Sequence, residues 1–173
     1  MNERTVTIER ILNAPRDKVW RAWTDPAELA KWWGPKGVTN PECTIDLKVG
    51  GTIYVVMLAG KELGPMAGQR WPMKGTFKEI VPPDPSNPRG QARLVFENNA
   101  VAEDGTVMLE GESTVLLEDV SNGPSTGLGT SKTKLTLIAY AKGMVPQAPQ
   151  MLAGMEMGWT QSIDKLAKLV AAG

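Results

Sequence analysis

Glu110 and Glu112 stand two residues apart in a segment whose alternation reads as a strand, so both carboxylates project from one face of it. Turned inward, such charges need a partner and could orient the polar end of a ligand or move a proton. Turned outward they form a solvated face, which is the commoner arrangement. Arg10, in the middle of an N-terminal strand pattern, poses the same choice. Tyr140 either donates a hydrogen bond inside a cavity or closes a sheet edge. Cys43 has no neighbour that would depress its pKa and reads as a small, inert hydrophobe. The chain contains no histidine at all. That removes Ser-His-Asp and Cys-His catalysis and every histidine-containing metal site. With one cysteine, thiolate zinc sites and an intramolecular disulfide go too. Catalysis would have to rest on Asp, Glu, Lys, Tyr, a lone thiol or bound water; no catalytic residue, metal site or cofactor site is expected.

The residues better suited to binding are apolar. Six tryptophans in 173 residues are many, and each ring can bury on the order of 150–250 Å². Trp20 and Trp23 read as scaffold; of Trp32 and Trp33, both pocket candidates beside Gly34-Pro35, one should pack under the sheet rim and the other could edge a pocket mouth. Near the C-terminus Met151, Met155, Trp159, Ile163, Leu166 and Val170 recur every three or four residues, the stripe of an amphipathic helix. Methionine adapts to irregular shapes, so Met151, Met155 and Trp159 are candidate pocket residues. Tyr54, Met73, Phe77 and Phe96 are candidates from the strands, although a one-residue slip reverses a strand's inner face. Gly154 and Gly158 each cost a helix roughly 1 kcal/mol relative to Ala, which hints at close approach of sheet or ligand.

These residues need elements to position them. Thr5–Leu12 reads as a strand, and Pro15 suits the first position of a short helix. Asp25-Pro26-Ala27-Glu28 starts a second, brief helix that Gly34-Pro35 ends. Strands follow at 44–49, 52–58, 71–81, 91–97, 107–118 and 132–140. Gly50-Gly51 suits a type I′ hairpin turn. Pro/Gly-rich loops fall at 82–90 and 121–131. One strand, two short helices, about six strands and one long helix make an α+β chain. Its sheet must cover its apolar face, and the terminal helix is the only large cover available.

Asn13-Ala14-Pro15, Val19-Trp20, Trp23-Thr24-Asp25-Pro26, Leu29, Trp32-Trp33-Gly34-Pro35, Gly50-Gly51 and Gly158-Trp159 occur in this order along the chain. The series resembles the SRPBCC superfamily, and within it the group related to the C-terminal domain of the activator of heat-shock-protein ATPase. The resemblance runs over most of the chain and is densest in the first 52 residues. It implies a helix-grip (START-like) β-α-α-β6-α fold, a curved antiparallel sheet wrapped around a long C-terminal helix. It also implies a cavity between the two that commonly holds lipids, sterols or other apolar molecules. Carriers, receptors, polyketide cyclases and stand-alone bacterial proteins of unknown role share this fold, so fold alone does not settle function. At 173 residues the chain is expected to lack the extra N-terminal domain of the full co-chaperone.

Composition narrows the classes further. Nineteen basic residues balance nineteen acidic ones, which leaves no electrostatic footprint for nucleic acid or a polybasic membrane anchor. No apolar run approaches a membrane span, and the N-terminus has no signal-peptide core. The expectation is a single domain over residues 1–173, in a reducing cytoplasm, that holds a small apolar or amphipathic molecule without catalysis. Two rivals are a cyclase- or dehydratase-type enzyme on an aromatic or polyketide-like substrate and a stress-response or co-chaperone-like interaction module. A homodimer is compatible with all three.

Overall fold

The structure, a computed structural model, describes residues 2–87, 90–120 and 131–172. It is α+β. Strand β1 (Glu3–Leu12) is followed by helices α1 (Arg16–Thr24) and α2 (Pro26–Leu29). Then come β2 (Val38–Ile45), β3 (Thr52–Ala59), β4 (Arg70–Val81), β5 (Ala92–Glu97), β6 (Asn99–Val101), β7 (Val107–Asp119) and β8 (Thr133–Gly143). Helices α3 (Ala148–Ala153) and α4 (Met155–Ala171) close the chain. All the strand pairs are antiparallel, and the sheet order is β1-β8-β7-β5-β4-β3-β2, with β6 paired to β4 and β7. The sheet curls around α4, which packs its Ile163, Leu166 and Val170 into a core shared with Leu12, Trp23, Phe96, Leu117 and Leu135.

Local chemistry explains most of these boundaries. The Asp25 side chain accepts hydrogen bonds from the backbone N–H groups of Ala27 and Glu28, with Pro26 in the first turn, so α2 starts where the sequence predicts. Pro15 stands one position earlier than expected, as the residue preceding the first turn of α1. The β2–β3 hairpin departs further from expectation. β2 begins at Val38 and ends at Ile45, and a loop of six residues joins it to β3. The Asp46 N–H donates to the Thr52 carbonyl, and the Gly51 N–H to that of Lys48. Only Gly50 takes a positive φ, +85°, as the third residue of that Lys48–Gly51 turn. The two glycines therefore serve a longer loop and not a two-residue type I′ turn.

The short strand β6 is not evident from the sequence. β5 and β6 run along the same two neighbours, and the pairing breaks at Asn98, whose N–H donates to the Gly111 carbonyl. A Cβ on Gly111 would lie 2.4 Å from the Asn98 carbonyl oxygen, so only glycine allows this approach. A break of this kind favours a local bend of the sheet, and residues around it border one end of the grip.

The C-terminal helix is also interrupted. The sequence periodicity predicts one helix through Met151 and Met155, whereas Gly154 separates α3 from α4. Arg4 on β1 stabilises the break. One of its guanidinium nitrogens donates to the carbonyls of Leu152 (2.9 Å) and Ala153 (3.2 Å), and the other pairs with Glu156 (2.8 Å). Arg10 lies on the same face of β1 and pairs with Asp164 of α4 at 2.7 Å. Arg10 thus faces the helix side of the edge strand and not the outer face, and it takes the carboxylate that could otherwise pair with Lys168. Residues 88 and 89 of the first predicted loop and 121–130 of the second lie outside the described residues.

Candidate functional site

The inner face of the sheet changes size along its length. On β8 the inward residues run Leu135, Leu137, Ala139, Ala141, Gly143, and on β7 they run Leu117, Val115, Ser113, Gly111. The matching stripe of the terminal helices runs Val170, Leu166, Ile163, Ser162, Trp159, Gly158, Met155, Gly154, Met151. At one end large aliphatic side chains interdigitate and no space remains. At the other, small residues on both walls leave a cavity of about 990 Å³. That size suits a drug-sized organic molecule. The β3–β4 connection, the turn between β6 and β7 and the α3–α4 break surround it.

Its surface is mostly apolar. Six of the chain's nine methionines contribute, namely Met57, Met66, Met73, Met108, Met151 and Met155. Flexible thioether side chains can repack around different shapes, so this wall is adaptable where the closed end is rigid. Trp33, Trp71 and Trp159 supply the aromatic surface. Trp33 and Trp159 meet edge to face with ring centroids 5.3 Å apart, and Trp23 backs both at 6.5 and 6.3 Å.

Of the residues expected at a pocket from sequence, Trp33, Met73, Met151, Met155 and Trp159 come together on this cavity. Four others do not line it. Trp32 is fully buried beneath Trp23, 4.6 Å between centroids, and its indole N–H donates to the Ala22 carbonyl. Phe77 and Phe96 have the inward parity, but they meet edge to face in the sealed core. Tyr54 sits between inward-facing Ile53 and Val55 and so projects from the opposite face of β3. Sequence reasoning missed Met57, Met66, Trp71, Met108, Ala139 and Ala141, as well as the polar residues Asn98, Ser113 and Ser162. The Leu-to-Ala step on one parity of β8 was a readable sign of an opening. A Cβ on Gly158 would meet nothing within 4 Å, so this glycine widens the cavity and is not demanded by an approaching strand.

Ionisable groups keep to the rim or the outside. Arg70 and Glu103 are exposed at the mouth, and Arg70 is paired with Glu42. Glu110 and Glu112 lie on the outer face, where Glu112 pairs with Lys78 at 2.6 Å. The Tyr140 hydroxyl also lies outside, donating to Glu3 at 3.2 Å. Burial and the nearby Asp25 carboxylate push the Cys43 thiol up to about 11. Relative to an unperturbed thiol at 9.0, its thiolate fraction at pH 8 is lower by about a hundredfold. Alkylation of the folded protein by iodoacetamide should slow by about that factor against the urea-unfolded chain. Equal rates would show that Cys43 is neither shielded nor perturbed.

Comparisons with known proteins agree with this fold. Residues 13–171 match the family described as "Activator of Hsp90 ATPase homolog 1-like protein". None of the curated proteins matches the chain. Among solved structures, a protein of Chromobacterium violaceum is 26% identical, with full coverage of both chains and a TM-score of 0.67. A solution structure from Arthrobacter aurescens is 23% identical, covering 98% of this chain and 87% of that one with a TM-score of 0.72. The AHSA1 protein of Silicibacter pomeroyi is 23% identical, covering 97% and 98%, with a TM-score of 0.62.

Proposed function

Since this chain belongs to the Activator of Hsp90 ATPase homolog 1-like family, we propose that it binds a small apolar or amphipathic molecule in the cavity between its sheet and its C-terminal helices, without transforming it. The observation that carries this reading is a 990 Å³ cavity walled by methionine and tryptophan, with its charged side chains, Arg70 and Glu103, at the mouth. Affinity comes mainly from buried apolar surface, at roughly 25 cal/mol per Å² before the costs of association. The Tyr140 hydroxyl, Glu110 and Glu112 face away from the cavity, so the residues best placed by sequence to act as acid and base do not meet a bound substrate. This favours binding over a cyclase or dehydratase reaction. The interaction-module reading has the family's name in its support. No helix among the described residues is long and apolar enough to cross a membrane.

Native mass spectrometry of the purified protein, beside denatured spectra of the same sample, tests the proposal. An additional mass that survives native conditions and departs on denaturation is the expected result, and fragmentation would name its chemical class. A bare chain mass, together with failure of the hydrocarbon fluorophore diphenylhexatriene to bind, would sink the binding reading and favour a protein partner.

A further inference from the structure

Four polar or charged side chains among the described residues are almost wholly buried: Arg16, Ser113, Thr133 and Ser162. Three of them direct their donors to main-chain carbonyls. Arg16 donates to Gly90, Asp84 and Asn87, Thr133 to Ala14 at 2.7 Å, and Ser162 to Gly158 at 2.8 Å. Ser113 is different. Its Oγ accepts from Asn98 Nδ2 at 3.1 Å, while its hydroxyl hydrogen has no acceptor among the described residues. A hydroxyl carries a donor as well as two acceptor positions, and buried donors are rarely left unmatched.

Both residues line the cavity. Ser113 stands on the inward face of β7 between Val115 and Gly111, and only 1% of it is exposed. Asn98 is at the break between β5 and β6, where its backbone lies against Gly111. With Nδ2 committed to Ser113, Asn98 Oδ1 has no protein donor among the described residues. One free donor and one free acceptor therefore stand side by side in a mostly apolar wall.

We infer that Ser113 and Asn98 anchor the head of the bound molecule, and that this head is uncharged and both donates and accepts a hydrogen bond, as an amide or an alcohol does. The inference rests on the binding reading given above and specifies its ligand class. A carboxylate or ammonium at this point would lose its hydration and gain only neutral partners, since Arg70 and Glu103 are at the exposed mouth. A neutral head gains both hydrogen bonds, and the attached chain or ring system lies along the methionines toward the mouth. A molecule with a charged end enters the other way, with its charge in solvent beside Arg70.

The test compares three probes on the full chain: decanamide, decanoate and diphenylhexatriene, which has no polar group. Decanamide and decanoate are read by displacement of diphenylhexatriene. Ser113→Ala should weaken decanamide about five- to tenfold, the worth of one neutral hydrogen bond. It should leave decanoate and diphenylhexatriene unchanged. Ser113→Thr, which keeps the hydroxyl, should restore decanamide binding. Diphenylhexatriene that fails to bind wild-type protein would remove the cavity reading itself. Diphenylhexatriene that binds, with decanamide affinity unaltered in Ser113→Ala, would overturn the anchor alone. An equal loss for decanoate would overturn its preference for a neutral head.

Discussion

Gly158→Leu should stabilise the protein and weaken ligand binding in the same step. Gly158 lies within α4, and a Cβ there meets no atom within 4 Å, so the new side chain enters free space on the cavity wall. Leucine is the better helix former by about 0.8 kcal/mol, so the unliganded protein gains about 1 kcal/mol and its Tm rises by about 2–4 °C. The same side chain occupies volume a ligand would use. Denying a ligand about 55 Å² of apolar contact at ~25 cal/mol per Å² weakens it roughly tenfold. Thermal unfolding and diphenylhexatriene titration read the two effects separately. Because the variant is more stable, weaker binding cannot be attributed to unfolding. Undiminished affinity would show that residue 158 borders no binding space.

Trp32→Ala should be the most destabilising single substitution among the tryptophans that meet in the aromatic cluster. Trp32 has no exposed surface, packs edge-on against Trp23 and at a tilt against Trp33, and satisfies its indole N–H on the Ala22 carbonyl. Truncation leaves a large void and an unmatched carbonyl, at a cost of about 3–5 kcal/mol. For a chain of this size that lowers Tm by about 10 °C or more. Trp159→Ala provides the contrast. Trp159 is half-buried, borders the cavity and stacks on Trp23. Its loss should cost about 1–2 kcal/mol, because one side of the ring has no protein to lose, and should alter ligand affinity. Equal losses at the two positions would mean that Trp159 is sealed in the core and that the cavity ends before it.

The architecture follows from information that is local in the chain. Alternation of apolar residues marks the long strands, three-and-four spacing marks α4, and Asp25-Pro26 marks α2. These signals are legible because a strand's two faces and a helix's stripe are set by backbone periodicity alone. The same reasoning explains the misplaced Tyr54. Its strand was recognised, but which parity faced inward depended on pairing with β2 and β4, and the six-residue β2–β3 loop gave no two-residue turn from which to count. The break at Asn98 was hidden as well, since it is defined by contacts with Gly111 on another strand.

What determined the site was depth along the grip, which no periodicity encodes. Phe77, Phe96 and Met73 all face inward, yet the two phenylalanines are enclosed by core while Met73 borders open space. Trp32 and Trp33 are adjacent in sequence and equally apolar, yet one fills the core and the other walls the cavity. Residue order alone carries the apolar sheet face, the apolar helix that it wraps and the absence of histidine chemistry. Where packing stops is a property of the folded chain. A cavity forms where small residues from β7, β8 and the C-terminal helices coincide in space, and that coincidence depends on contacts between distant parts of the chain.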